Sequence, residues 1–199
     1  MVAEVDSVGP QVQRLAEFSV PSNFRQRSVV FTLVWWLVQA TLFRASPQPM
    51  YRWRCFLLRR FGAQIGDGVK IRQSARVTYP WKVSIGDNSW IGDRAELYSL
   101  VDITIGANTC ISQDVYLCTG SHDMNDLTFS YDCDPIVIGD EAWLAAGSFV
   151  APGVVIGDRA VVGARSLVLD SLSAGGVYAG HPARFVRHRC DNERTDNDR

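Results

Sequence analysis

No stretch of this chain is apolar for long enough to cross a bilayer as a helix. The most apolar run, VVFTLVWWLVQATLF at residues 29–43, has 15 residues, short of the roughly 20 that spanning requires. It reads as a buried or capping helix. The alternative, a helix lying in a membrane interface, would be marked by apolar and basic faces. Histidine is scarce, three in 199 residues, and the five cysteines (Cys55, Cys110, Cys118, Cys133, Cys190) are odd in number and irregularly spaced, with no CxxC pair. That pattern argues against structural zinc, and no metal is expected. The opening segment MVAEVDSVGP has neither a basic start nor an apolar signal core, which with the cysteines points to a reducing, cytoplasmic home. Acids are missing from residues 18–66, where seven arginines stand (Arg25, Arg27, Arg44, Arg52, Arg54, Arg59, Arg60), so the net charge of -1 averages two unlike regions. This local basic excess keeps peripheral association with the inner face of the membrane open; no nucleic-acid partner is expected.

What is present in abundance is a repeat. With 47% hydrophobic and 21% charged residues the chain is ordinary globular material, enough for one full core. From Ile65 onward an aliphatic residue returns every six positions, a period that fits neither a helix nor one long strand. The set is Ile65, Ile71, Val77; Ile85, Ile91, Leu97; Ile105, Ile111, Leu117; Ile138, Leu144, Val150; Ile156, Val162, Val168. Four places on, thirteen of the fifteen hexads carry Ser, Thr, Ala or Val, Ser121 among them, the exceptions being Trp81 and Leu172. Each hexad reads as a short strand plus a corner, with the aliphatic side chain inward and a small one beside it. Three hexads close a triangle, so the chain reads as a parallel β-helix of about five triangular coils. Glycines after the aliphatic residue, such as Gly86 and Gly92, suit close backbone approach or an unusual dihedral. The expected organisation is a partly helical basic and apolar cap over residues 1–62, the β-helix over 63–173, a C-terminal capping segment over 174–188 and a disordered tail over 189–199.

Between Leu117 and Ile138 about a dozen residues exceed what the repeat needs, which sets off an inserted loop, 122–135, that begins at His122. A long loop leaving a rigid scaffold is where function concentrates, because packing gains nothing from it. Trp143 is an indole at an outward hexad position, where it asks for a flat ligand or a neighbouring subunit. Trp81 stands in a slot that expects a small residue and reads as a corner distortion or a contact with the cap.

The hexads, the TGSHD segment before the loop, the run IGDEAWLAAGSFVAPGVVIGDRAVVGARSLV and the closing YAGHPARFVR together resemble the hexapeptide-repeat acyltransferases. RRFGAQIGDGVKI, YPWKVSIGD and LCTGSHD are most similar to the colanic acid biosynthesis acetyltransferases of that superfamily. The resemblance covers roughly residues 50–187. It implies a left-handed coil, against the usual right-handed crossover, and a homotrimer binding acetyl-CoA between adjacent prisms. It also implies His122 as the base that deprotonates an acceptor hydroxyl, Trp143 beside the pantetheine arm and the Ala146 N–H facing the thioester oxygen. Gly163 and Ala164 would line the same arm, and Arg184 and Arg187 would meet the CoA phosphates. The usual asparagine of a closing GNPAR is His181 here.

The chemistry agrees with that assignment. A thioester has a fair leaving group and the hydroxyl is the weak partner, so a base near neutral pH is what the reaction lacks. Imidazole, with an unperturbed pKa of about 6.5, supplies one, and general base catalysis contributes ~10² to 10⁴-fold. Asp123 would orient the imidazole or the sugar, or simply be solvated. The expected activity is acetyl-CoA-dependent O-acetylation of a sugar hydroxyl. Its rivals are N-acetylation of an amino sugar, a non-catalytic β-helix platform, and a zinc hydratase needing three histidine ligands, which His181 and His188 in the closing segment serve poorly.

Overall fold

The computed structural model describes residues 12–189. The segment MVAEVDSVGP and the tail from residue 190 lie outside the described residues. Arg189, expected in the disordered tail, is instead tied down: its N–H donates to Gly175 O at 2.7 Å and its guanidinium to Glu141 O at 2.8 Å.

Two- and three-residue strands stack in register into three parallel sheets, the faces of a triangular prism. The first face carries Ile65, Ile85, Ile105, Ile138 and Ile156, the second Ile71, Ile91, Ile111, Leu144 and Val162, and the third Val77, Leu97, Leu117, Val150 and Val168. All fifteen are buried, each contributing ~1.5–3 kcal/mol by leaving water. The stack goes beyond the five turns expected. Leu172, an exception in the hexads, bridges to Ile156, and Tyr178 in the strand Gly176–Ala179 pairs with Val162, so a partial sixth turn is built before the chain reverses. The strand Arg184–His188 then runs antiparallel to Gly176–Ala179 and covers the last edge of the second face.

Close approach, not an unusual dihedral, explains the glycines after the aliphatic positions. A Cβ on Gly86 or Gly92 would lie 2.5 Å from a backbone nitrogen in the next turn. Two small-slot assignments are corrected: Val101 is half-buried and Ser121 exposed. At the corner between the third and first faces the inner position is taken two residues earlier, by Tyr79, Ser99 and Thr119. The wider bend leaves amides and carbonyls to satisfy. Ser99 Oγ accepts from Tyr79 N–H (2.9 Å), and Thr119 Oγ1 donates to Tyr98 O (2.8 Å) and accepts from Val101 N–H (3.1 Å).

The open lower edge is closed by side chains. Helix α1 (Val29–Val38), one π turn (Gln39–Phe43) and helix α2 (Tyr51–Arg60) lie across it. Each face of the lowest turn receives one donor: Arg59 Nε to Ile65 O (2.9 Å), Arg54 Nε to Ile71 O (2.6 Å) and Trp35 Nε1 to Val77 O (2.8 Å). Arg54 is fully buried and also reaches Ser46 Oγ, Pro47 O and Gln48 O, so it belongs to the edge cap and not to a basic surface. Helix α1 caps the edge with one side only. Thr32 and Trp35 are its buried residues, while Val29, Val30, Leu33, Val34, Trp36 and Leu37 project outward. Trp81 meets the cap, as its sequence position suggested, with Nε1 donating to Arg25 O at 2.7 Å. No described helix is long and apolar enough to cross a membrane.

Candidate active site

The inserted segment leaves the prism at the third–first corner of the third turn and opens as a hairpin, Gly120–His122 against Tyr131–Cys133, with His122 opposite Tyr131. Asp126 shapes its tip: its carboxylate accepts from the Thr128 N–H (3.0 Å), the Thr128 hydroxyl (2.8 Å) and the Ser130 N–H (3.2 Å). Hydrogen bonding from the Ser130 hydroxyl first, then from Thr128, holds that carboxyl well below the usual range. The turn returns Phe129 to the imidazole, where the rings stack at 4.2 Å between centroids and 6° between planes.

This contact orients the imidazole. His122 Nδ1 lies 2.6 Å from Phe129 O. A carbonyl only accepts, so Nδ1 carries a proton, and in the neutral ring the lone pair falls to Nε2. Tyr131 (4.9 Å) and the edge of Phe18 (5.7 Å) flank the same ring, which is half-buried. Phe18 arrives from the N-terminal segment, which pairs with the loop through Arg14 N–H to Leu127 O (2.6 Å). Farther along, Phe24 stacks on Tyr131 at 4.7 Å and its carbonyl accepts from the buried Lys82 Nζ at 2.8 Å. Burial pushes the Lys82 ammonium below its ordinary range. Asp123 Oδ1 accepts from the Asn125 N–H at 2.8 Å, a turn contact that leaves the residue exposed, next to His122 in the chain.

A second constellation lies at another corner, between the second and third faces. Trp143 projects from the second face, 46% exposed, with Nε1 donating to Ser112 Oγ at 3.0 Å. Two residues beyond each second-face aliphatic the chain places Gln73, Asp93, Gln113, Ala146 and Ala164, so the column falls to alanine in the fourth and fifth turns. With Gly147 and Gly163 these alanines make a run of small residues at the corner near Trp143. The Ala146 carbonyl accepts from Arg165 N–H at 2.8 Å, whereas no acceptor among the described residues takes the Ala146 N–H. His181 Nε2 contacts Arg165 O at the same corner.

The predicted residues therefore fall into two groups. Trp143, Ala146, Gly163 and Ala164 come together; His122 and Asp123 stand at a different edge of the prism. Arg184 and Arg187 face Ala179 and Val177 in the terminal strands. Arg184 pairs with Asp170 at 3.4 Å, and Arg187 donates to His188 O at 3.0 Å; both are exposed. The third face between the two corners carries Tyr116 stacked on Phe149 at 5.5 Å. Sequence reasoning missed Phe18, Phe129 and Tyr131, because no periodicity runs through the loop or the N-terminal segment. Among the described residues no three His, Cys, Asp or Glu side chains cluster as a metal site would need.

Comparison with known proteins places this geometry in context. The family described as bacterial transferase hexapeptide (six repeats) matches residues 135–170. The chain is 54% identical over 182 residues to the colanic acid biosynthesis acetyltransferase WcaF of Escherichia coli (strain K12), covering 92% of this chain and 100% of that protein. Its structure is similar to galactoside acetyltransferase in complex with coenzyme A (TM-score 0.77, 22% identity, 96% of this chain and 97% of that one). It is also similar to a hexapeptide-repeat acetyltransferase of Vibrio cholerae O1 biovar eltor complexed with acetyl coenzyme A (TM-score 0.73, 24% identity, 81% and 88%). The shared architecture is the left-handed β-helix.

Proposed function

The chain belongs to the hexapeptide-repeat acetyltransferases, and from that premise we propose that it moves the acetyl group of acetyl-CoA to a sugar hydroxyl of a glycan or glycoconjugate, with His122 as general base. The observation that carries this reading is the Nδ1 contact with Phe129 O, which leaves Nε2 as the one ring nitrogen able to take a proton. As Nε2 removes the hydroxyl proton, the acceptor oxygen bonds to the thioester carbonyl carbon. The C–S bond then breaks, and CoA leaves as thiolate and collects a proton. The Ala146 N–H, without a partner in the described chain, suits the oxygen that becomes negative in between. Trp143, Gly163 and Ala164 offer a flat wall and a recess for the pantetheine arm. Arg184 and Arg187 offer forked donors to the nucleotide phosphates, and Asp123, exposed and next to the base in the chain, would hold a sugar hydroxyl. Relatives named for colanic acid biosynthesis and for galactoside acetylation support a sugar acceptor.

Because the two groups occupy different edges of one prism, the working site needs His122 of one copy beside the Trp143 corner of a neighbour, as a homotrimer supplies. Subunit mixing tests this. At acetyl-CoA concentrations well below the raised KM, where His122→Ala and Ala164→Trp are each slow alone, the two unfolded and refolded together should recover roughly one quarter of the wild-type rate, since about one interface in four then has both halves intact. No recovery in verified mixed trimers would overturn the composite site. Turnover of amines alone in a CoA-release assay over sugars and amino sugars would replace O-acetylation by N-acetylation.

A further inference from the structure

We propose that the outer face of α1 and α2 docks on a membrane surface rich in anionic lipid. A helix whose outward side carries Val29, Val30, Leu33 and Leu37, exposed by 57%, 70%, 53% and 65%, is not built to face water. Leu42 in the π turn and Phe56 on α2 extend the apolar surface. Arginines surround it: Arg27 precedes α1, Arg44 follows the π turn, and Arg52 and Arg60 flank Phe56 at spacings of four on the exposed side of α2. Among the described residues none of these four makes an ion pair, and no acid occurs from residue 18 to residue 66. Arg54 and Arg59 are spent on backbone carbonyls and Arg27 lies over the Phe31 ring at 5.7 Å, which leaves Arg44, Arg52 and Arg60 without a side-chain partner among the described residues.

Charge decides what covers the face. A second copy meeting it with the same face would set arginines against arginines with no acid between them, whereas an anionic bilayer pairs with the guanidinium groups and takes up the apolar side chains together. Residues 29–43, about 22 Å long at helical rise, would lie in the interface plane. Beside α1 a cavity of about 600 Å³ is lined by Trp36, Arg44, Arg76 and Tyr98. The Tyr98 ring reaches the root of the His122 hairpin, where a Cβ on Gly120 would lie 3.2 Å from it. The docked face thus adjoins the base-bearing corner, an arrangement suited to an acceptor sugar carried on a lipid. That last link rests on the acetyl-transfer reading; the docking itself does not.

Vesicle flotation of the full chain reads docking without reference to turnover. The wild type should float with phosphatidylcholine vesicles containing phosphatidylglycerol, float far less with phosphatidylcholine alone, and detach as salt rises. Arg52→Gln and Arg60→Gln should each weaken binding about fivefold. The double variant Leu33→Asp/Leu37→Asp should abolish binding, with the mass of the native assembly and CoA release on a soluble acceptor unchanged. Absence of wild-type flotation, or flotation indifferent to both sets of substitutions, overturns the proposal. So does dissociation of the assembly in the double variant, which would give the face to another copy of the chain.

Discussion

The second–third and third–first corners of the prism are made from the same hexads, yet they acquire different capacities. At the second–third corner every turn stays in register, so the backbone repeats and only side-chain size varies; from Gln113 to Ala146 and Ala164 it falls to a single methyl. At the third–first corner the first two turns widen by two residues each and the third releases a hairpin. A regular corner can make room for a ligand. It takes an irregular one to turn a side chain outward and hold its ring on three sides, as Phe129, Tyr131 and Phe18 hold His122.

Removing the group unique to the irregular corner should have the largest effect. His122→Ala is expected to lower kcat ~10² to 10⁴-fold while leaving the KM for acetyl-CoA and the melting temperature near wild type; steady-state kinetics and calorimetry separate the two. Crowding the small side chains of the regular corner should do the opposite. Ala164→Trp is expected to raise the KM for acetyl-CoA at least tenfold, with stability changed by no more than about 0.5 kcal/mol because the position is exposed. Calorimetric titration with CoA measures the binding loss directly.

Smaller effects probe how the irregular corner is held. Phe18→Ala removes an edge-on ring contact with the imidazole, worth ~0.5–1.5 kcal/mol, so kcat should fall roughly threefold to tenfold with the KM for acetyl-CoA unaffected. Asp126→Asn should have the least effect on turnover and a visible one on the loop. Its carboxyl is held below its unfolded value, so its contribution to the turn is fully present above the ordinary carboxylate range and is lost only as pH falls through the lowered value. Amide exchange at Thr128 and Ser130 should therefore stay slow in mildly acidic solution in the wild type and be faster at neutral pH in the variant.

Much of this architecture was legible before any coordinates. The aliphatic period marks the inward residues because burial in a short strand is decided locally, and the gap in the period marks where the hairpin leaves. The cap was less legible. A run apolar on every side, like residues 29–43, carries no amphipathic signal, so it cannot say whether the prism or something else covers its outer half. Arg54 was equally opaque: its sequence neighbours made it one of a basic cluster, and only the fold brings Ile71 O within reach of it.

The sequence by itself determined the coil, the inward set and the position of the one large excursion, since each follows from which side chains recur at a fixed spacing. The tertiary structure alone decided which nitrogen of His122 is free and which distant ring, Phe18, packs on it. It also decided which arginines close the lower edge and that the two groups of candidate residues stand at different corners. Those outcomes depend on contacts between segments far apart in the chain, where no local period carries information.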